Sequence, residues 1–493
     1  MADNEKKPES ADGRENASVA PPGKSDSDTK TTASGGGTPP KKDTGGKWAA
    51  YLAINSSTGA LLGAILLVCL GSELWGPFIP KYMEDLMAPF KKGGPIGGEG
   101  LLLVLAIGVY GSFRDLLEAV NYFLGGWFAG RFNTRRGLLL FNAAPLIGLV
   151  IMLLWKNPVA IFLAVPFVFV WDSLAGPALL TVVGDSLPTD RRAMAFSLQS
   201  LLRRLSRIIA YGVNAGIVLL TGTEMGMEIA FAISIVVVLA SLVVQWRFMK
   251  TASRDKGTVI DHPLKMLRSL DPQLKRLLVA DIMSRWAEGT PRELLIIFGT
   301  SVFMATLSMA KEDAWALYGG MLIVSQVTSA LTYLPMGAIA SRPGFGKRPY
   351  IGWTFFFFAS FPAVFALTGW LASAGAVPAG GIIPLLGVAF VFMGMREIGE
   401  PARKAMIVDL IPPAQKTQLI GLYWSARSVS VMLAPILGAG VWVGANLLAG
   451  RGAGDPSGPG PYAMLLASSL LGASGVVYYY LRFGRGVARA SCP

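Results

Sequence analysis

The sequence predicts an all-α, polytopic membrane protein with twelve transmembrane helices in two pseudo-symmetric six-helix halves. Three observations carry this prediction. First, the 493 residues are 52% hydrophobic and only 15% charged, against about 25% charged residues in a soluble domain. Lipid, not water, is the solvent that can cover so much apolar surface. Second, the apolar residues fall into runs near the roughly 20 residues that cross a bilayer. Third, a short glycine-arginine loop early in the chain has a second copy 211 residues later, from Gly126 to Gly337.

Residues 1–47 are a different material, rich in Ser, Thr, Gly, Pro and Lys with equal numbers of acidic and basic side chains. Such a segment cannot bury a core and reads as a disordered tail, either simply solvated or a docking arm. It does not read as a signal peptide, because no apolar stretch follows its first basic residues. The apolar runs then lie at 54–79, 101–124, 137–155, 158–183, 195–220, 228–249, 277–303, 314–340, 350–371, 382–407, 418–447 and 461–482. They divide into an N-terminal half at 48–249 and a C-terminal half at 277–485, with a short tail at 486–493. The linker at 250–276 interleaves Lys265, Arg268, Lys275 and Arg276 with leucines. That pattern fits a helix lying on the membrane surface, or a plain linker.

The net charge is +13. Its basic residues sit in short segments between apolar runs, not on one soluble face, so a nucleic-acid partner is not expected. They concentrate after the even-numbered runs, which places both termini on the cytoplasmic side of the cell's plasma or inner membrane. The single histidine, His262, and the two cysteines, Cys69 and Cys492, support neither a metal site nor a disulfide framework. No phosphate-binding loop and no nucleophile-base constellation is present, so no cofactor and no enzymatic activity is expected. The aromatic runs Phe355–Phe358 and Tyr478–Tyr480 read as lipid-facing or interfacial packing.

The halves repeat each other. Pro177, Asp185, Pro188 and Arg203 recur as Pro401, Asp409, Pro412 and Arg427 at a constant spacing of 224 residues. Halves duplicated in parallel place a binding site between them, near the midplane.

These residues resemble the major facilitator superfamily, whose loop between helices 2 and 3 runs roughly G-x-x-x-D-R-x-G-R-R. Gly126, Arg131, Arg135 and Arg136 fit it, while Gly130 stands where the family has Asp and Asn133 where it has Gly. In the second copy Gly337, Arg342, Gly344, Lys347 and Arg348 fit, and Ser341 again replaces the Asp. Asp185, Pro188, Arg191 and Arg192 are similar to the family's ending of helix 4, and Ala434-Pro435-Ile436-Leu437-Gly438 to its glycine-proline motif. The resemblance covers 48–485 and implies alternating access. It makes Gly126, Arg131, Arg135, Arg136, Asp185, Arg203, Gly337, Arg342, Lys347, Arg348, Asp409 and Arg427 a cytoplasmic gate. Asp185 and Asp409 would pair with the basic loop of their own half. Snorkelling of Arg203, Arg204, Arg207 and Arg427 to headgroups is the other reading of the arginines.

Ionisable groups inside membrane spans are costly and need a reason. Asp281, Arg285, Glu288 and Arg292 fall at i, i+4, i+7 and i+11 and line one helical face. Arg114 and Glu118 share a face with Asp115 beside them, and Glu73, Asp172, Arg396, Glu397 and Glu400 complete the set. Asp172 and Arg396 are repeat-mates of opposite charge, able to pair across a shared centre. These residues either line a polar solute and ion pathway or merely pair within and between helices. Glu73, Glu288 and Glu400 are the candidate proton carriers. The expected activity is secondary transport of a polar or charged small solute by a monomer, driven by an ion gradient with the proton as the favoured ion, or running as a uniporter. The competing class is a non-transporting scaffold of the same fold.

Overall fold

The computed structural model describes residues 56–88, 100–129, 134–170, 173–174, 192–248, 265, 267–268, 270–340, 346–412 and 416–483. These residues are helical, with no strand among them. Helices α1 (Ser56–Glu73) and α2 (Ile79–Met87) are joined by a 3₁₀ turn at Gly76–Phe78. Then come α3 (Leu101–Ala129), α4 (Thr134–Leu154), α5 (Pro158–Val168), α6 (Arg192–Thr221) and α7 (Thr223–Phe248). The later part holds α8 (Pro272–Gly289), α9 (Leu295–Leu307), α10 (Lys311–Ala340), α11 (Arg348–Ser373), α12 (Ala379–Met395), α13 (Glu400–Asp409), α14 (Lys416–Val431), α15 (Ala434–Leu448) and α16 (Gly460–Tyr478).

Seven helical stretches among the described residues are long and apolar enough to cross a membrane, and the chain is an integral membrane protein. Two more, α3 and α6, span 29 and 30 residues but carry charges in their middles.

Four of the expected continuous spans are broken. The run at 54–79 stops at Glu73 and resumes at Ile79, the run at 277–303 breaks at 290–294, the run at 382–407 at 396–399, and the run at 418–447 at 432–433. Each break carries a proline close by, Pro77, Pro291, Pro401 or Pro435. Proline has no N–H for the helical ladder and its ring clashes with the preceding turn. Hydropathy does not register this, because proline and glycine are apolar enough to keep a run intact. The linker also differs. Asp271 caps α8, its carboxylate accepting from the Gln273 and Leu274 N–H groups. Lys275 and Arg276 therefore belong to the start of α8, while Lys265, Leu267 and Arg268 are helical and the rest of 250–269 lies outside the described residues.

The first and second groups of helices meet along two seams. One is α6 against α10, the other α3 against α14 and α15. The second seam depends on small residues. A Cβ at Gly108 would stand 2.6 Å from the Ala439 Cβ. Nearby, the glycine of the Ala434–Gly438 motif lets α15 touch the end of α8, since a Cβ at Gly438 would stand 2.1 Å from the Thr290 carbonyl oxygen. That neighbour is backbone and cannot rotate away. Gly438→Ala is therefore expected to destabilise the protein by about 1–3 kcal/mol, read as a lower thermal midpoint in detergent; an unchanged midpoint would mean that the two helices separate freely.

The aromatic runs correct the expectation of lipid-facing packing. Phe355 and Phe358 are 0% and 1% exposed and Tyr479 is 0% exposed. Tyr479 stacks on Phe483 (4.9 Å) and meets Phe355 edge-on (5.1 Å). Only one side of each run faces outward, through Phe356 and Tyr480. Four aromatics in a row span a full helical turn and cannot all face lipid.

Candidate functional site: a charged cavity between the helix groups

A cavity of about 490 Å³ lies between the two groups, lined by α1, α3, α6, α8, α10, α13 and α14 and by the helix breaks. Gly76 and Pro77, Arg292 and Glu293, and Arg396 and Glu397 come to its wall from three of those breaks. A broken helix leaves side chains splayed and backbone groups unpaired, which a bilayer tolerates only where protein or water receives them.

The charges form four linked groups. In the first, Arg207 Nε donates to Glu73 (2.6 Å) and the Tyr211 hydroxyl donates to the other oxygen of the same carboxylate (2.8 Å). In the second, Arg292 donates to Asp115 (2.8 Å) and to Glu293 (2.8 Å), and Arg114 lies 3.2 Å from Glu293. This quartet joins α3 to the break after α8. In the third, Arg204 meets Glu397 (2.9 Å), Gln326 (2.6 Å) and the Tyr333 hydroxyl (3.1 Å), joining α6 to α10 and to the break after α12. Tyr333 in turn donates to Glu397 (2.9 Å).

The fourth group lies within the second set of helices. Arg285 donates to Glu288 (2.5 Å) and Glu400 (3.5 Å), and sits 4.6 Å over the Phe358 ring. Arg403, 1% exposed, pairs with Asp281 and donates to Glu400 (2.5 Å). Lys404 reaches Glu400 (3.7 Å) and Ser200 of α6 (3.3 Å).

The structure thus brings together Glu73, Arg114, Asp115, Glu118, Glu288, Arg292, Arg396, Glu397 and Glu400 at one cavity, with Arg285. Asp281 is not among the lining residues, because it is fully buried against Arg403 and the Tyr423 hydroxyl (3.4 Å). The four-charge stripe on α8 is also shorter than its spacing implied. The helix ends at Gly289, and Arg292 turns toward Asp115. Asp172 lies outside the described residues. Its expected partner Arg396 sits 3.6 Å from Glu288.

Of the expected gate residues, Arg131, Asp185 and Arg342 lie outside the described residues, and Arg135 is described only as part of α4. Gly126 is part of α3, Gly337 is buried in α10, and Arg136 is exposed at the start of α4. Lys347 and Asp409 pair at 2.5 Å. Arg348 begins α11, its carbonyl accepting from the Tyr479 hydroxyl (2.9 Å). Arg203 lines the cavity, and Arg427 lies 3.9 Å from Glu118 and 4.1 Å over the Trp424 ring. The snorkelling alternative fails for Arg204 and Arg207, which turn inward to carboxylates.

The sequence reading passed over several contributors. Arg403 and Lys404 stand at i+3 and i+4 from Glu400, spacing that signals helical pairing. Tyr211, Gln326 and Tyr333 gave no signal, being ordinary residues in long helices. The plug beyond the cavity was also invisible. There Lys311, at the start of α10, pairs with Asp85 of α2, and the Thr223 hydroxyl donates to Asp85 (2.8 Å). Beneath this pair Phe78 stacks on Trp315 at 5.3 Å, and the Trp315 indole donates to Asn214 (2.9 Å).

No family model matches the chain. Over 138 residues it is 30% identical to a Na(+), Li(+), K(+)/H(+) antiporter of Planococcus maritimus, a match covering 26% of this chain and 29% of the antiporter. The match therefore spans a little under a third of that relative's length. Two solved structures resemble it along most of its length. One is the human organic anion transporter MFSD10 (TETRAN), with a TM-score of 0.60, 15% identity, and coverage of 86% of this chain and 99% of that one. The other is the nucleoside transporter NupG, with a TM-score of 0.59, 12% identity, and coverage of 87% and 99%. Both are major facilitator superfamily transporters.

Proposed function

We propose that this chain, which has the fold of the major facilitator superfamily, is a secondary transporter that moves a polar or charged small solute by alternating access, coupled to a proton. Twelve membrane helices in two six-helix halves, 48–249 and 277–485, are the arrangement this reading requires. The observation that carries it is the charged cavity itself. A scaffold has no need of a wet, ion-lined chamber at the junction of its halves, and such groups in a membrane mark solute and ion paths.

The ion pairs between the helix groups supply the bistable element that alternating access needs. The Asp85–Lys311 pair and the Phe78–Trp315 stack close one end. The other end carries Lys347 and Asp409, the proposed cytoplasmic latch. There the groups touch through Glu118 with Arg427 and Ser200 with Lys404, contacts that must part for the solute to leave. The antiporter match supports proton coupling, and Glu73, Glu288 and Glu400 are the carriers. Each is held by an arginine, Arg207, Arg285 or Arg403, and binding a proton would release that arginine.

The test is transport in proteoliposomes under an imposed pH gradient, with organic anions, nucleosides, Na⁺, Li⁺ and K⁺ as probes. Wild-type protein is expected to drive uptake or efflux of at least one probe, and Glu73→Gln is expected to flatten the pH dependence of that flux. Pathway accessibility gives an independent reading. Cysteines at 285 and 288 should react with a water-soluble thiol reagent, whereas one at the outward-facing Val279 should not. Flux of no probe, together with unreactive cysteines at 285 and 288, would overturn the transport reading in favour of a scaffold.

A further inference from the structure

We propose that the cavity binds an anion, a small solute carrying one or two negative charges on a carboxylate or phosphate group, with the Arg396 guanidinium as its principal contact. That such an anion is cargo rests on the transport reading above; the binding site itself rests on the charge balance and on Arg396.

Among the described residues the cavity wall holds seven carboxylates against nine arginine and lysine side chains; Arg203 has a partner of its own, which leaves a formal excess of one positive charge. The adjacent Asp281–Arg403 pair adds one charge of each sign and leaves the excess unchanged. Uncompensated charge away from bulk water is costly and calls for a counter-ion. Most carboxylates of the wall cannot supply it, because they are already engaged. Arg207 and Tyr211 take both oxygens of Glu73. Arg204 and Tyr333 take Glu397, and Arg403 and Lys404 take Glu400.

Arg396 is the cation left over. Its Nε donates to the Met393 carbonyl (3.0 Å), but its Nη2 lies 3.6 Å from the nearer Glu288 oxygen, too far for a hydrogen bond. The other Glu288 oxygen is held by Arg285 at 2.5 Å. The guanidinium is fixed over two rings, 5.2 Å from the centroids of both Phe358 and Phe361. Aromatic faces hold a cation in place without neutralising it. A guanidinium so held, with its amino groups on the cavity, presents the planar fork that matches a carboxylate or phosphate. Across the cavity Arg427 is also loosely paired, 3.9 Å from Glu118, and offers a second contact to a dianion. A volume of about 490 Å³ falls in the range of small-molecule sites.

The test is thermal unfolding of the full chain in detergent at constant ionic strength. The probes are succinate, lactate and inorganic phosphate, with choline, putrescine and glycerol as controls. At least one of the three anions is expected to raise the midpoint saturably, and the arm that does so separates carboxylate from phosphate recognition. Arg396→Gln should weaken that binding at least ~10-fold, the loss expected for a charged hydrogen-bond partner. Arg396→Lys, which keeps the charge, should weaken it less, and Arg451→Gln at an exposed loop should leave it unchanged. Stabilisation by the controls alone, by none of the probes, or equally in Arg396→Gln and wild type would overturn the proposal. Proteoliposome flux separates the two readings. Anion binding without flux of any probe would leave the site and remove the anion's role as cargo, whereas flux confined to cations would keep transport and remove the anion.

Discussion

Replacing Arg403 with methionine is expected to cost about 3–5 kcal/mol of stability, the penalty for breaking one side of a buried ion pair. Arg403 and its partner Asp281 are 1% and 0% exposed, and Arg403 also donates to Glu400 through Nε and Nη2. Its removal leaves two carboxylates facing each other without their shared cation. The Asp281 side has only the Tyr423 hydroxyl and Arg285 at 3.7 Å to fall back on. The measurement is the thermal midpoint and the monodispersity of the purified protein in detergent. Pairing the substitution with Asp281→Asn should recover part of the loss, because the stranded charge is then gone. A single variant as stable as wild type would show that water reaches this pair.

The second large effect is expected at the plug. With Asp85→Cys and Lys311→Cys in a background lacking Cys69 and Cys492, a short bifunctional thiol reagent should join α2 to the start of α10. If these elements must part on each cycle, the cross-linked protein carries no flux and a reductant restores it. The pair joins two elements 226 residues apart, and Thr223 supplies a third contact from α7. Beneath it the Phe78–Trp315 stack and the Asn214 hydrogen bond would have to break together, so the end moves as a unit. Full flux in the cross-linked protein would place the opening elsewhere.

The membrane class, the helical architecture and the presence of charges in the spans were legible because each rests on a one-dimensional property. Mean hydropathy, the 3.6-residue period and the cost of an intramembrane charge need no partner to be read. Glu73, Asp115, Glu288 and Arg396 could be singled out for this reason, and the structure collects them at one cavity. The helix breaks were less legible. Pro291 and Pro401 signal them locally, but the apolar run continues across each, and length alone favours one long span.

The partner of each charge was not legible at all. The period placed Arg285 between Asp281 and Glu288, and both contacts exist. It could not say that Arg292 crosses to Asp115, that Arg204 reaches Tyr333, or that Phe358 turns inward to hold two arginines. These contacts join residues more than a hundred positions apart, or depend on how one helix is rotated against another. The 224-residue repeat made Asp172 and Arg396 equivalent, and Asp172 lies outside the described residues.

The sequence by itself determined that this chain lives in lipid, that its halves repeat each other, and that charges stand where lipid would not tolerate them unpaired. Those statements follow from composition and spacing, which the chain carries whether folded or not. Only the tertiary structure decided which of the described charges meet. Those meetings depend on separations of a few ångströms between helices, which no pattern along the chain encodes.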